Sequence, residues 1–262
     1  MNNMYVSENV GLALILTTLA GLSTGIGGAI VYFIKKPKMV YLSFSLGFSA
    51  GVMIYLSFME LLPEAINKAG EIWSIITFFI GMFFMCLIDR LMPEAENPHH
   101  VHEPSEIIGL RKDGALMRTG LFTALAIGVH NFPEGLATFA ATLSSVKLGV
   151  TVALAIAIHN IPEGIAVAMP IFYATGSKKK AFIWSFFSGL AEPIGGLISF
   201  LILMPFLTER FLASLLSFVA GMMIYISLDE ILPAAHRYGH EHSVISGIIL
   251  GFVVMAMSLM IL

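Results

Sequence analysis

Eight apolar stretches, each near or above the about 20 residues that a helix needs to cross a hydrocarbon core of roughly 30 Å, govern what this chain can fold into. They run at about 8–34, 39–62, 72–92, 120–143, 147–173, 180–207, 211–232 and 243–262. None shows the two-residue alternation of a membrane-barrel strand. The expected fold class is therefore an all-α polytopic membrane protein of eight transmembrane helices, forming one transporter-sized domain over residues 1–262. Composition agrees: 57% of residues are hydrophobic, 12% are charged and the mean hydropathy is +0.88, against about 25% charged residues in a soluble domain. The net charge of −3 rests on short loop clusters without aromatic interleaving, so no nucleic-acid partner is expected. Cys86 is the only cysteine, which removes disulfide frameworks and thiolate metal cages. Residues 1–10 hold no lysine or arginine, so the first run lacks the basic start of a cleaved signal and is expected to remain as a span.

Basic loop residues set the orientation. With the N-terminus outside, Lys35, Lys36, Lys38, Arg90, Arg111, Lys112, Arg118, Lys178, Lys179, Lys180 and Arg237 fall in the cytoplasm, against Lys68, Lys147 and Arg210 outside, a count of 11 to 3. Both termini are then expected outside the cytoplasm. Trp73 and Trp184 fall near span starts, where interfacial indoles belong. The long loop 93–119 is polar and carries His99, His100 and His102 on the cytoplasmic side, a candidate exit or regulatory metal position.

Internal repeats add a symmetry. The segment 50–63, with Met53, Tyr55, Ser57, Glu60 and Pro63, recurs in the second half of the chain with Met223, Tyr225, Ser227, Glu230 and Pro233 at the same internal spacing. Gly21, Ile26, Gly27 and Gly28 likewise recur as Gly189, Ile194, Gly195 and Gly196. Span one thus pairs with six, two with seven, three with eight and four with five, each pair crossing in opposite senses. Such an inverted repeat, three helices, a central pair and three more, is a mark of transporters with two access states. Rocking of the three-plus-three helices against the central pair is the expected motion.

The central pair holds the chemistry. His-Asn-Phe-Pro-Glu-Gly at 130–135 returns as His-Asn-Ile-Pro-Glu-Gly at 159–164. Helical spacing puts His130, Asn131 and Glu134 on one face, and His159, Asn160 and Glu163 likewise. Pro133 and Pro162 each lack an N–H and disturb the carbonyl four residues earlier, so a kinked turn is expected at each phrase. Glu192, at a repeat position rich in glycine, adds a third carboxylate. A carboxylate at the bilayer centre costs about 2.5–3.5 kcal/mol, and no lysine or arginine lies mid-span to neutralise it. The compensating charge must be a bound cation or protons. Imidazoles, amide oxygens and carboxylates together suit zinc, iron(II), manganese and cobalt. Asp229, Glu230 and Glu60, near the ends of spans two and seven, are compatible both with metal capture and with interfacial charge.

These residues resemble the ZIP (Zrt/Irt-like) family of divalent metal transporters, in its bacterial branch, and the resemblance extends over all eight spans, including Glu192 with its preceding Ser188 to Ala191 and the Thr175-Gly-Ser-Lys turn. It implies uptake of zinc, with iron(II), manganese, cobalt or cadmium, through a midplane site of two metal positions in a bacterial inner membrane. Carried over, one position uses His130, Glu134 and Glu163; the other uses Asn131, Glu134, Asn160, Glu163 and Glu192. His159 is either a non-ligand or part of a further position with Glu192, and Asp229 and Glu230 match a cytoplasmic exit. The metal is then cargo and no cofactor is implied; expected partners are divalent ions and the bilayer, with a second copy of the chain as a candidate. A membrane metalloenzyme and a proton channel are the alternatives. The His-x-x-x-Glu order reverses the Glu-x-x-His of di-iron bundles and differs from the His-Glu-x-x-His of zinc proteases. A proton channel has no use for paired amides.

Overall fold

The computed structural model describes residues 3–33, 39–91, 115–203, 208–236 and 240–261, so the loop histidines His99, His100 and His102 lie outside the described residues. Every regular element among those residues is helical. In order they are α1 (Asn3–Ile30), α2 (Met39–Leu56), α3 (Leu62–Ala69), α4 (Glu71–Leu91), α5 (Ala115–Ser144), α6 (Val146–Thr175), α7 (Lys178–Gly189), α8 (Ala191–Ile198), α9 (Glu209–Ile226), α10 (Leu232–His236) and α11 (Glu241–Ile261). Seven continuous paths among the described residues are long and apolar enough to cross a bilayer; α5, 30 residues long, makes the eighth by length.

Prolines set the irregularities. Between α2 and α3, and between α9 and α10, the chain widens into π-helical turns at Ser57–Leu61 and Ser227–Ile231. Pro63 and Pro233 follow each turn, and their missing N–H groups strip the carbonyls of Met59 and Asp229, inside the turns, of their usual donors. The second span therefore continues to Ala69 and the seventh to His236. Pro193 acts similarly on Gly189, where α7 ends; the chain re-forms as α8 after Leu190. Pro133 and Pro162 stand within helices. Both α5 and α6 run unbroken past them, as membrane helices do when their surroundings re-satisfy the backbone.

Two tight turns hold the remaining connections. Gly176, with φ of 64°, closes α6 in the left-handed region that favours glycine, and Ser177 caps α7 by accepting from the Lys180 amide. Ser145 separates α5 from α6 and caps the latter through the Leu148 amide. Replacing Ser145 by alanine is expected to cost about 1 kcal/mol, read as a lowered melting temperature in detergent with zinc transport retained.

Packing repeats across the chain. Helix α2 lies against α11 as α4 lies against α9; α1 lies against α6 as α8 lies against α5; and α2 meets α6 as α9 meets α5. Glycines let backbones touch at these seams. A Cβ on Gly21 would meet the Gly189 carbonyl, and one on Gly189 would meet that of Gly21, where α1 crosses the α7–α8 path. Gly51 sits against Ile248 and Gly221 against Phe78. The α2–α6 and α9–α5 surfaces, by contrast, show no such glycine approach among the described residues, and Leu56, Met53, Ile156, Met223 and Phe139 of these helices belong to one buried cluster.

Polar contacts mark the helix ends. Lys68 donates to Ser144 Oγ and pairs with Glu64. On the neighbouring helix, Trp73 donates to Ser214 Oγ and lies under the Arg210 guanidinium. Lys178 instead reaches the Tyr32 carbonyl, close in sequence to the basic stretch from Lys35.

Candidate metal site

Glu134 on α5 and His159 and Glu163 on α6 converge among the described residues, their ligand atoms all lying within 4.8 Å of one another. Each is essentially sealed from solvent. His159 Nε2 stands 3.0 Å from Glu134 Oε1, so the histidine reaches across to the neighbouring helix. The spacing of α6 explains this. His159 and Glu163 are one turn apart on the same face, and the close packing of α5 on α6 lets Glu134 enter between them.

The asparagines follow the repeat. Asn131 Nδ2 donates to the Ser188 carbonyl at 3.4 Å, and Asn160 Nδ2 donates to the Ala20 carbonyl at 3.0 Å. Ala20 and Ser188 are themselves counterparts, each standing one position before the repeated glycines Gly21 and Gly189. Each amide thus faces backbone with its Nδ2, and both buried Oδ1 atoms accept no hydrogen bond among the described residues. An amide oxygen without a donor in an apolar interior is costly, about 1–3 kcal/mol, and is suited to a cation.

Glu192 is fully buried, and its Oε1 accepts from Asn160 Nδ2. It joins the site through Asn160, while His159 reaches Glu134. The glycines that end each phrase fix these distances. A Cβ on Gly135 would overlap the Glu192 carbonyl, and one on Gly164 would overlap that of Thr24, the repeat counterpart of Glu192.

His130 is in α5, but its side chain lies outside the described residues. Asp229 and Glu230 occupy the π-helical turn before Leu232, with Asp229 exposed and Glu230 buried, and they are not among the converging ligands. One contact escaped the sequence reading: Ser49 of α2 donates to Glu163 Oε1 at 3.2 Å. A serine one residue before the repeated Ala50-Gly51 pair was the signal available.

The arrangement offers a dense negative site with nitrogen and oxygen ligands and no lysine or arginine beside it. None occurs from 119 to 146 or from 148 to 177; Lys147 stands between these stretches, at the helix ends. Comparison with known proteins gives the same direction. The model of the family described as ZIP Zinc transporter matches residues 94–259. A protein named Zinc transporter ZupT from Clostridium perfringens is 51% identical, covering 97% of each chain. Proteins of the same name from Streptococcus mutans and Chlorobium luteolum are 50% and 53% identical, covering 98% and 97% of this chain and 99% of their own.

Proposed function

The chain belongs to the ZIP zinc transporter family, and on that premise we propose that it carries zinc, and with it iron(II), manganese, cobalt and cadmium, into the cytoplasm by alternating access. The observation that carries this reading is the convergence of Glu134, His159 and Glu163 in the closed interior of a helical membrane protein. Carboxylates held there without a lysine or arginine demand a compensating cation, and a mixed imidazole and carboxylate set gives that cation the character of a borderline transition metal.

On this reading Glu134 and Glu163 bridge two neighbouring metal positions. One takes His130 and His159 as its imidazole candidates, and the other takes the amide oxygens of Asn131 and Asn160 with Glu192. Because the ion is cargo, the site must also let go. A set that is dense in carboxylates but poor in thiolates is suited to exchange, and protons competing for the same lone pairs aid release.

The seams support one division into moving and fixed parts. Backbone-level glycine contacts tie α1, α5, α6 and α7–α8 together, and others tie α2 to α11 and α4 to α9. The α2–α6 and α9–α5 surfaces lack such seams among the described residues, so sliding there alternates access. On this reading α1, α5, α6 and α7–α8 move as one group, an alternative to three helices on each side rocking against the central pair. The pairwise exchange of contacts supports the inverted repeat, and the basic-residue count supports placing both termini outside the cytoplasm of a bacterial inner membrane.

Uptake into proteoliposomes tests the proposal. Vesicles bearing the purified chain are expected to accumulate zinc at a saturable rate well above protein-free vesicles, with the other divalent ions competing. Zinc uptake equal to that of empty vesicles, with and without a pH gradient, would refute it.

A further inference from the structure

Several buried serines and threonines in this bundle turn back on their own helix. Thr17, Thr142 and Ser227 each donate to the carbonyl four residues earlier, the ordinary way for a helical hydroxyl to satisfy itself in an apolar setting. Ser185 and Ser217 cross to carbonyls of other helices, whereas Ser49 reaches a carboxylate. It is fully buried on α2, and it donates across the helix boundary to Oε1 of Glu163, at 3.2 Å.

We propose that Ser49 is a positioning residue for the metal site, holding the Glu163 carboxylate in the orientation that receives the ion. The proposal rests on the metal-site reading given above. Three observations carry it. First, the hydrogen bond restricts rotation of a carboxylate whose two oxygens must serve ions beside His159 and Glu134, so the site is formed before metal arrives. Second, the fold does not need a hydroxyl at this crossing. The repeat counterpart of Ser49, in the register that matches Ala50 with Ala220, is Val219, equally buried on α9, the helix that meets α5. The two carboxylates are therefore held differently: Glu134 by the His159 imidazole, Glu163 by a hydroxyl from another helix. Third, α2 shares no glycine seam with α6 among the described residues, so this bond spans the surface at which sliding is proposed. It forms in the arrangement described here and parts when the helices shift, linking ligand geometry to access.

The test compares Ser49→Ala, Ser49→Thr and Glu163→Gln in proteoliposomes, with initial zinc uptake measured over a range of zinc concentrations. A hydrogen bond to an ionised group is worth roughly tenfold or more in an equilibrium. Ser49→Ala is expected to raise KM for zinc roughly tenfold with the maximal rate within about twofold, and Ser49→Thr to restore KM. An unchanged KM in Ser49→Ala, beside abolished uptake in Glu163→Gln, overturns the role of Ser49 and leaves the site intact. A lowered maximal rate and melting temperature with KM unchanged also overturns it, assigning Ser49 to helix packing. Full uptake by Glu163→Gln removes the metal-site reading, and this proposal falls with it.

Discussion

Glutamine in place of Glu134 or Glu163 is expected to lower zinc flux into proteoliposomes by about 100-fold or more. Each carboxylate lies within 4.8 Å of the other and of His159, so each substitution removes a charged ligand and much of the site's negative potential while keeping volume. Loss of partners that merely orient a ligand costs about 10–100-fold in metal affinity, and loss of the ligand itself costs no less. Stability is expected to respond in the other direction. Holding an ionised carboxylate in an apolar interior opposes folding, so the metal-free variants should melt at the same temperature as the parent or higher. Flux lost from protein that melts normally separates a ligand from a packing residue; flux retained in both variants places the route elsewhere.

Leucine at Gly135 or Gly164 is expected to prevent assembly altogether. The atom that a Cβ would meet at these positions is a backbone carbonyl oxygen, of Glu192 and Thr24 respectively, and a carbonyl locked in a helix cannot rotate aside as a side chain can. The helices must separate, which undoes the contacts of α5 with α8 and of α6 with α1. A cost above about 3 kcal/mol is expected for such overpacking, visible as loss of the monodisperse peak in detergent chromatography. Gly128 supplies the control. A Cβ there meets nothing within 4 Å, and the second phrase carries Ala157 at the matching place. Gly128→Ala is thus expected to be tolerated, with up to about 1 kcal/mol gained in helix propensity. Normal assembly of the Gly135 and Gly164 variants would show that the two phrases do not seat against α8 and α1 as described.

Much of this was legible in the sequence because it depends on local physics. Span lengths follow from hydrocarbon thickness, and the His-Asn-x-Pro-Glu-Gly repeat fixes which side chains share a helix face. The register of the glycine repeat even anticipates that Asn131 and Asn160 meet the equivalent residues Ser188 and Ala20. What was not legible depends on neighbours. That His159 reaches Glu134 depends on the closeness of α5 to α6, and that Asn160 reaches Glu192 depends on how α8 packs beside them. That Ser49 reaches Glu163 depends on the depth at which α2 crosses α6, which hydropathy does not encode. The prolines divide the same way. All five lack a backbone donor, yet Pro63 and Pro233 stand beside widened turns and Pro193 beside a break, while the helices run through Pro133 and Pro162. Packing around each carbonyl, and not the residue itself, makes that difference.

Zinc-edge X-ray absorption on the purified, zinc-loaded protein tests the central claim most directly, since it reports the atoms around the metal without reference to transport. The expected spectrum shows a shell of nitrogen and oxygen at about 2.0–2.2 Å with imidazole scattering, and its loss when Glu134, His159 and Glu163 are replaced together. A sulfur shell at about 2.3 Å, or an imidazole-containing shell that survives the triple replacement, would contradict the assignment of the site.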